Sequence, residues 1–364
     1  MRRNTLFVLC SLVLVTGVIL VLFILVTSES RSSSSTDGEE ILQVTPNEVE
    51  EVVLDEVISG VIPDETPVYV ATFTLNIQDF SYPELSASIL ERLIQTHEQR
   101  NLPVEVFLTT TMVDVFPRDY PDLWEQLTSS SVVDLSYHFR PPVPYHNVAA
   151  ETVSWSSLSW DEAYEIVYAY ETHGLDLVTG EPTQEEGSIA KLTSLLGHPP
   201  TCVGAAAGAG AAKVVHQVFA DLGARCIVDN SSFTNLGEYL ETFWVRPQHV
   251  DVKLFEQLHT PAEEILVAAK QAATEIPSAT TPYFLNVKMH DNDFFAQNSA
   301  WTTVYLARGA RRDGPPYDTS LKSPLLSAVE QEKVYEAYVS MLDAALADPE
   351  LVIMNLPQIE TLLP

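Results

Sequence analysis

The chain has 364 residues, 50 acidic against 19 basic, a formal charge of −31 and 46% hydrophobic content. That suffices for one large domain or two ordinary ones, and the charge excludes nucleic acid as a ligand, because phosphate backbones need basic patches. A surface this acidic repels acidic polymers and gathers cationic ones, or simply serves solubility in a salty medium.

Residues 1–28 open with Arg2 and Arg3 and carry no charge from Thr5 to Ser28. Leu6 to Val26 is a 21-residue apolar run, about the length that crosses a bilayer. The arginines in front and the acidic, Ser-rich stretch behind place the amino terminus inside. The segment therefore reads as an uncleaved membrane anchor; the rival is a cleaved signal peptide, whose apolar region is usually shorter. Either reading makes the rest extracytoplasmic. Residues 29–66 read as an acidic, Ser-rich stalk, and 67–364 as the folded domain.

From Pro67 onward strand and helix patterns alternate. Val68–Phe73 reads as a strand, and Pro83–Arg100 as an amphipathic helix with Leu85, Ile89, Leu93 and Ile94 on one face. Val104–Leu108 is a strand, Tyr120–Thr128 a helix and Val132–Tyr137 a strand. Ser159 with Glu162 marks a capped helix start. Ala190–Leu196, Val203, Lys213–Leu222, Cys226–Asp229, Ala262–Thr274 and Phe284–Met289 continue the alternation, which Ser327–Ala347 and Leu351–Met354 close. This order implies an α/β fold with a parallel sheet covered by helices, most simply a barrel.

Three strand ends carry candidate chemistry, and strand ends are where α/β folds place it. The first is Leu75-Asn76-Ile77-Gln78-Asp79-Phe80. The second is His138-Phe139-Arg140-Pro141-Pro142 with His146 beyond it, two imidazoles and a guanidinium on a proline-stiffened loop. The third is His290-Asp291-Asn292-Asp293, directly after a buried strand, which suits a metal or a general acid held by a carboxylate. His97, His173, His198, His216, His249 and His259 read as structural or solvated, with His97 on the outer part of its helix. Gly204 to Gly210, followed by Asp229, imitates a dinucleotide-binding turn, but small residues for close helix–strand packing explain it. Cys202 and Cys226 would start neighbouring strands, either disulfide-bonded or as buried thiols. No zinc-type cysteine spacing exists.

In order, these strand ends resemble the polysaccharide deacetylase (NodB-type) superfamily, whose fold is a distorted (β/α)7 barrel. Leu75-Asn76-Ile77-Gln78-Asp79-Phe80 is similar to its opening Leu-Thr-Phe-Asp-Asp-Gly. His138 falls at the first histidine of its His-Ser-x-x-His motif, and Val287-Lys288-Met289-His290 resembles its late strand ending in a catalytic histidine. The resemblance implies a zinc-like divalent ion on Asp79 and His138, with His146 as a further ligand. It implies His290, oriented by Asp291 or Asp293, as the acid that protonates a leaving amine in hydrolysis of N- or O-acetyl groups on carbohydrate. Gln78 stands where the family has its general base, and His146 comes eight residues after His138 rather than four. Gln78 and Arg140 are then candidates for substrate binding. The expected partner is a carbohydrate polymer or oligosaccharide. The alternatives are a non-catalytic glycan-binding relative, or a glycoside hydrolase on a related barrel using Asp79 and Asp293.

Overall fold

The computed structural model describes residues 68–147, 153–228, 233–306 and 314–363. The expected anchor and stalk, and Asp229, lie outside the described residues. Among the described residues no helix is long and apolar enough to cross a membrane.

In chain order the elements are β1 (Tyr69–Ile77), α1 (Pro83–Arg100), β2 (Val104–Thr109), α2 (Thr110–Asp119), α3 (Pro121–Ser129) and β3 (Val133–His138). There follow α4 (Trp160–Thr172), β4 (His173–Leu175), β5 (Pro182–Glu186), α5 (Ser188–Leu196), β6 (Cys202–Gly204), α6 (Ala212–Asp221) and β7 (Cys226–Val228). The last are β8 (Tyr239–Leu240), β9 (Phe243–Val245), β10 (Val250–Lys253), α7 (Ala262–Thr274), β11 (Tyr283–His290), α8 (Ala328–Ala347), β12 (Leu351–Ile353) and α9 (Leu356–Glu360). The main sheet runs β10-β11-β1-β2-β3-β6-β7-β9-β8, with β12 against the amino end of β1. All its ladders are parallel except β8 against β9, and β4 with β5 forms a separate antiparallel ribbon.

Strand alternation splits each strand between two cores. On β1, Phe73, Leu75 and Ile77 face the helices, joining Leu90 and Leu93 of α1 and Tyr338 of α8. The inward residues Val70 (β1), Phe107 (β2), Cys202 (β6), Cys226 and Val228 (β7), Trp244 (β9) and Phe284 (β11) form a second buried cluster. Six strands spread across the sheet meet in one cluster only if the sheet curls strongly on itself. Leu356 and Ile359 of α9 complete that cluster. Among the described residues no ladder joins β9 to β10, so the sheet is a half-barrel. The connection between these strands crosses the opening, with the Arg246 amide bonded to Ile227 O and the His249 amide to Phe284 O.

Where the structure departs from the sequence reading, the causes are local. Strand β1 extends to Ile77, which places Gln78 and Asp79 directly at its end. Helix α2 was hidden by Thr110, Thr111, Val113, Val115 and Pro117, all poor helix formers; its burial of Met112, Val113 and Phe116 holds it. On α1 Leu93 and Ile94 are buried as expected, whereas Leu85 and Ile89 are only partly buried and Ser86, Leu90 and His97 join the buried face. His97 is therefore inside, not outer: its Nε2 lies 2.7 Å from the Tyr338 hydroxyl and its Nδ1 3.0 Å from Leu102 O. Burial lowers its pKa to about 4. Cys202 and Cys226 are register partners on β6 and β7, buried as free thiols.

Candidate functional site

The parallel strands end together, with Asn76 of β1 opposite His290 of β11 and Thr109 of β2 opposite His138 of β3. Inward-facing side chains near these carboxyl ends enclose a cavity of about 220 Å³ lined by Thr74, Asn76, His138, Arg140, Gly204, Arg246, Lys253, Phe255, Lys288 and His290, among others. A second hollow of about 380 Å³ shares Arg140, Phe255 and His290 and adds Gln78, His146, Asn292, Asp293, Asn298 and Trp301. The two form one mouth.

His138 donates from Nδ1 to Gly204 O at 2.8 Å, which leaves Nε2 as the bare nitrogen of the neutral ring. Burial, and then the charge of Arg140, hold its pKa well below the usual histidine value. The same two causes lower His146 to about 3. His290 donates from Nδ1 to Asp293 Oδ2 at 2.9 Å, and its backbone amide donates to the same oxygen at 2.8 Å. That dyad keeps the imidazole oriented with Nε2 available for proton exchange.

Within the glycine-rich stretch, Gly204 has a specific structural reason. A Cβ there would lie 2.6 Å from His138 Nδ1 and 2.9 Å from its Cγ, so the glycine clears space for an imidazole. Gly204→Ala is expected to displace the His138 ring and cost about 1–3 kcal/mol of stability. A lowered melting temperature with a shifted His138 ring resonance would show it; an unmoved resonance would refute the contact.

Asp79 and Asp291 hold the floor of the site. Asp79 is fully buried; its Oδ1 accepts from the Ser81 and Tyr82 amides at 2.9 and 3.1 Å, and its Oδ2 from the Ala300 amide at 3.0 Å. It thereby fixes the start of the turn Trp301–Tyr305. Asp291, also buried, accepts from the Gln78 and Asp79 amides and from Ser86 Oγ. Burial first, then the charge of Asp291, raises Asp79 to about 7. Gln78 turns its amide to Asn292 Oδ1 at 2.9 Å.

The expected metal set is not brought together. Asp79 lines neither hollow, and three backbone amides occupy its oxygens. Arg140 bears electrostatically on both His138 and His146, an environment that opposes a divalent cation. Among the described residues no three His, Cys, Asp or Glu side chains are placed to share a metal ion. The residues present do not fit the metal. Nor do Asp79 and Asp293 face each other across a groove, since only Asp293 lines it.

Sequence reasoning brought His138, Arg140, His146, His290, Asp293 and Gln78 to this mouth and missed Arg246, Lys253, Phe255, Lys288 and Trp301. One signal was legible: Phe284, Asn286, Lys288 and His290 alternate along β11, marking a polar inner face on a strand read as simply apolar.

No protein-family model matches the chain, and no curated protein matches it. Among solved structures it is similar to a candidate polysaccharide deacetylase from Mycobacterium smegmatis, at 9% identity and TM-score 0.46, covering 82% of this chain and 91% of that one. It is also similar to a CE4-family pseudoenzyme from Bacillus anthracis, at 11% identity and TM-score 0.31, covering 62% of this chain and 57% of that one. A mutant CE4-family pseudoenzyme with restored enzymatic activity matches at 11% identity and TM-score 0.33, covering 62% of this chain and 59% of that one. These are likenesses of architecture at low sequence identity.

Proposed function

We propose that this chain is a carbohydrate-binding protein on a deacetylase-like half-barrel, holding glycan in the mouth without hydrolysing it. One observation carries the reading. The carboxylate that a metal hydrolase would use, Asp79, instead anchors the turn that carries Trp301, and an amide, Gln78, stands where a base is needed. The mouth keeps what a sugar requires: an aromatic face from the partly exposed Phe255, and amides and imidazoles from Gln78, Asn298, His146 and His290. The 21-residue apolar run of Leu6 to Val26 would hold the domain at the outer face of a membrane.

Calorimetric titration of acetylated and de-acetylated oligosaccharides into the full-length chain tests this. Binding is expected, weakened about tenfold (about 1.4 kcal/mol) by Phe255→Ala, with no acetate released from the acetylated ligands. Catalytic acetate release that disappears in His290→Ala would overturn the reading.

A further inference from the structure

The charge of the mouth is opposite to that of the chain. Arg140, Arg246, Lys253 and Lys288 converge on the 220 Å³ cavity with His138 and His290, and no Asp or Glu lines it, in a chain with 50 acidic residues and 19 basic ones.

These cations are unequally compensated. Lys288 pairs with Asp251 at 2.7 Å, and Lys253 stands 3.6 Å from Glu256. Arg246 is 4% exposed and bonds only neutral oxygens: Thr74 Oγ1 at 3.4 Å, Asn286 Oδ1 at 3.3 Å, and Gln248 Oε1; Asp251 bears on it electrostatically but spends its oxygens on Asn286 and Lys288. Its Nε is buried without a partner. The Arg140 guanidinium makes no hydrogen bond or ion pair among the described residues, and its Nε is likewise buried and unpartnered. Asp291 bears on Arg140 electrostatically but spends its oxygens on Gln78, Asp79 and Ser86. Two guanidinium charges thus share one cavity without a bonded counterion. An uncompensated buried charge is costly, and an oxyanion accepting from both would recover that cost.

We propose that the mouth is an anion subsite, in which Arg140 and Arg246 grip the carboxylate or phosphate of an acidic sugar while Lys253 and Lys288 add charge at the cavity wall. This rests on the glycan-binding reading above for the sugar, and on two guanidinium groups without bonded counterions lining one cavity for the anion. The chain's overall acidity does not oppose it. Long-range repulsion is screened by salt, whereas the pocket field acts at contact distance.

The test is calorimetry on the full-length chain with four probes: a uronic-acid oligosaccharide, a hexose 6-phosphate, a neutral oligosaccharide of equal length to the first, and inorganic phosphate. The acidic oligosaccharide is expected to bind at least about tenfold more tightly than the neutral one. That preference is expected to vanish in Arg140→Gln and Arg246→Gln and to survive in part in Arg140→Lys. Arg140 is itself partly exposed, on a loop otherwise buried from Phe139 to His146, so its variants report even if Arg246→Gln fails to fold. Tighter binding of the uronate or of the sugar phosphate identifies the source of the anion, and either supports the subsite. Equal binding of acidic and neutral oligosaccharides, unchanged in Arg140→Gln, would overturn the anion subsite and leave the glycan reading intact. Binding of inorganic phosphate alone would support the subsite and overturn the glycan reading. No binding of any probe would overturn both.

Discussion

Asp291→Ala is expected to lower stability by about 3 kcal/mol or more, the largest loss from any single polar side chain of the site. Asp291 is 1% exposed and follows directly on β11, one step past the point where His290 pairs with Asn76 of β1. Its Oδ1 accepts from the Gln78 amide at 3.1 Å, and its Oδ2 from the Asp79 amide at 3.0 Å and Ser86 Oγ at 2.6 Å. One carboxylate therefore ties the end of β11 to the end of β1 and the first turn of α1. Alanine leaves two buried amides unmet, each costing about 1–3 kcal/mol, while Ser86 Oγ loses its shorter bond and keeps Asp79 O at 3.2 Å. Part returns, because losing the Asp291 charge relieves Asp79, whose pKa that charge helps to raise. At roughly 2–4 °C per kcal/mol, the melting temperature should fall by at least about 6 °C. Asp291→Asn, which keeps one acceptor oxygen, should fall between alanine and wild type. An alanine variant melting with the wild type would show that the clamp holds nothing.

Glu171→Gln is expected to gain stability relative to wild type as pH rises. Glu171 is fully buried beneath the His138–His146 loop, with its Oε1 accepting from the Tyr145 hydroxyl at 2.5 Å and the Tyr137 hydroxyl also bearing on the carboxylate. Burial raises its pKa from 4.5 to about 7. Between those values the folded chain keeps a proton that the unfolded chain has released, so rising pH favours the unfolded state. The stability associated with this group is full below about pH 4.5 and is lost as pH rises through 7. At 1.36 kcal/mol per unit, the loss is about 3 kcal/mol. Glutamine holds the same shape and still accepts from Tyr145 but cannot ionise. Denaturant titrations of both proteins at pH 4.5 and pH 8 should show the difference, variant minus wild type, rising by about that amount. A difference independent of pH would contradict a buried, titrating Glu171. The paired measurement matters because His97 and His146, lowered to about 4 and about 3, act oppositely. They remove stability as pH falls below 6.5.

The fold was legible wherever periodicity was strong. The first three long strands, α1, α7 and α8 follow from apolar spacing, and Ser159 with Glu162 marked the start of α4 through a capping box that the structure contains. Elements fixed by tertiary burial were not legible. Helix α2 has the local preferences of a strand and is held by Met112 and Phe116, while strand β9 has three residues and is held by Trp244 reaching the inner cluster. Half of the site was legible because polar groups directly after apolar runs are conspicuous, as at His138 and His290. The rest was hidden on the strands' inner faces. Arg246 lies just beyond a three-residue strand, and Lys288 reads as an interruption until the alternation of β11 is followed. The role of Asp79 could not be read either: only the fold shows the Ala300 amide, 221 residues away, bonded to its carboxylate.

The central claim is that this mouth binds acidic glycan through cationic side chains, without a metal. The most direct measurement is calorimetric titration of an acidic oligosaccharide into the full-length chain before and after chelation, with metal content measured on the same samples. Unchanged affinity after chelation, with no stoichiometric metal and no acetate released, is the expected result. A stoichiometric divalent ion whose removal abolishes both binding and acetate release would contradict it.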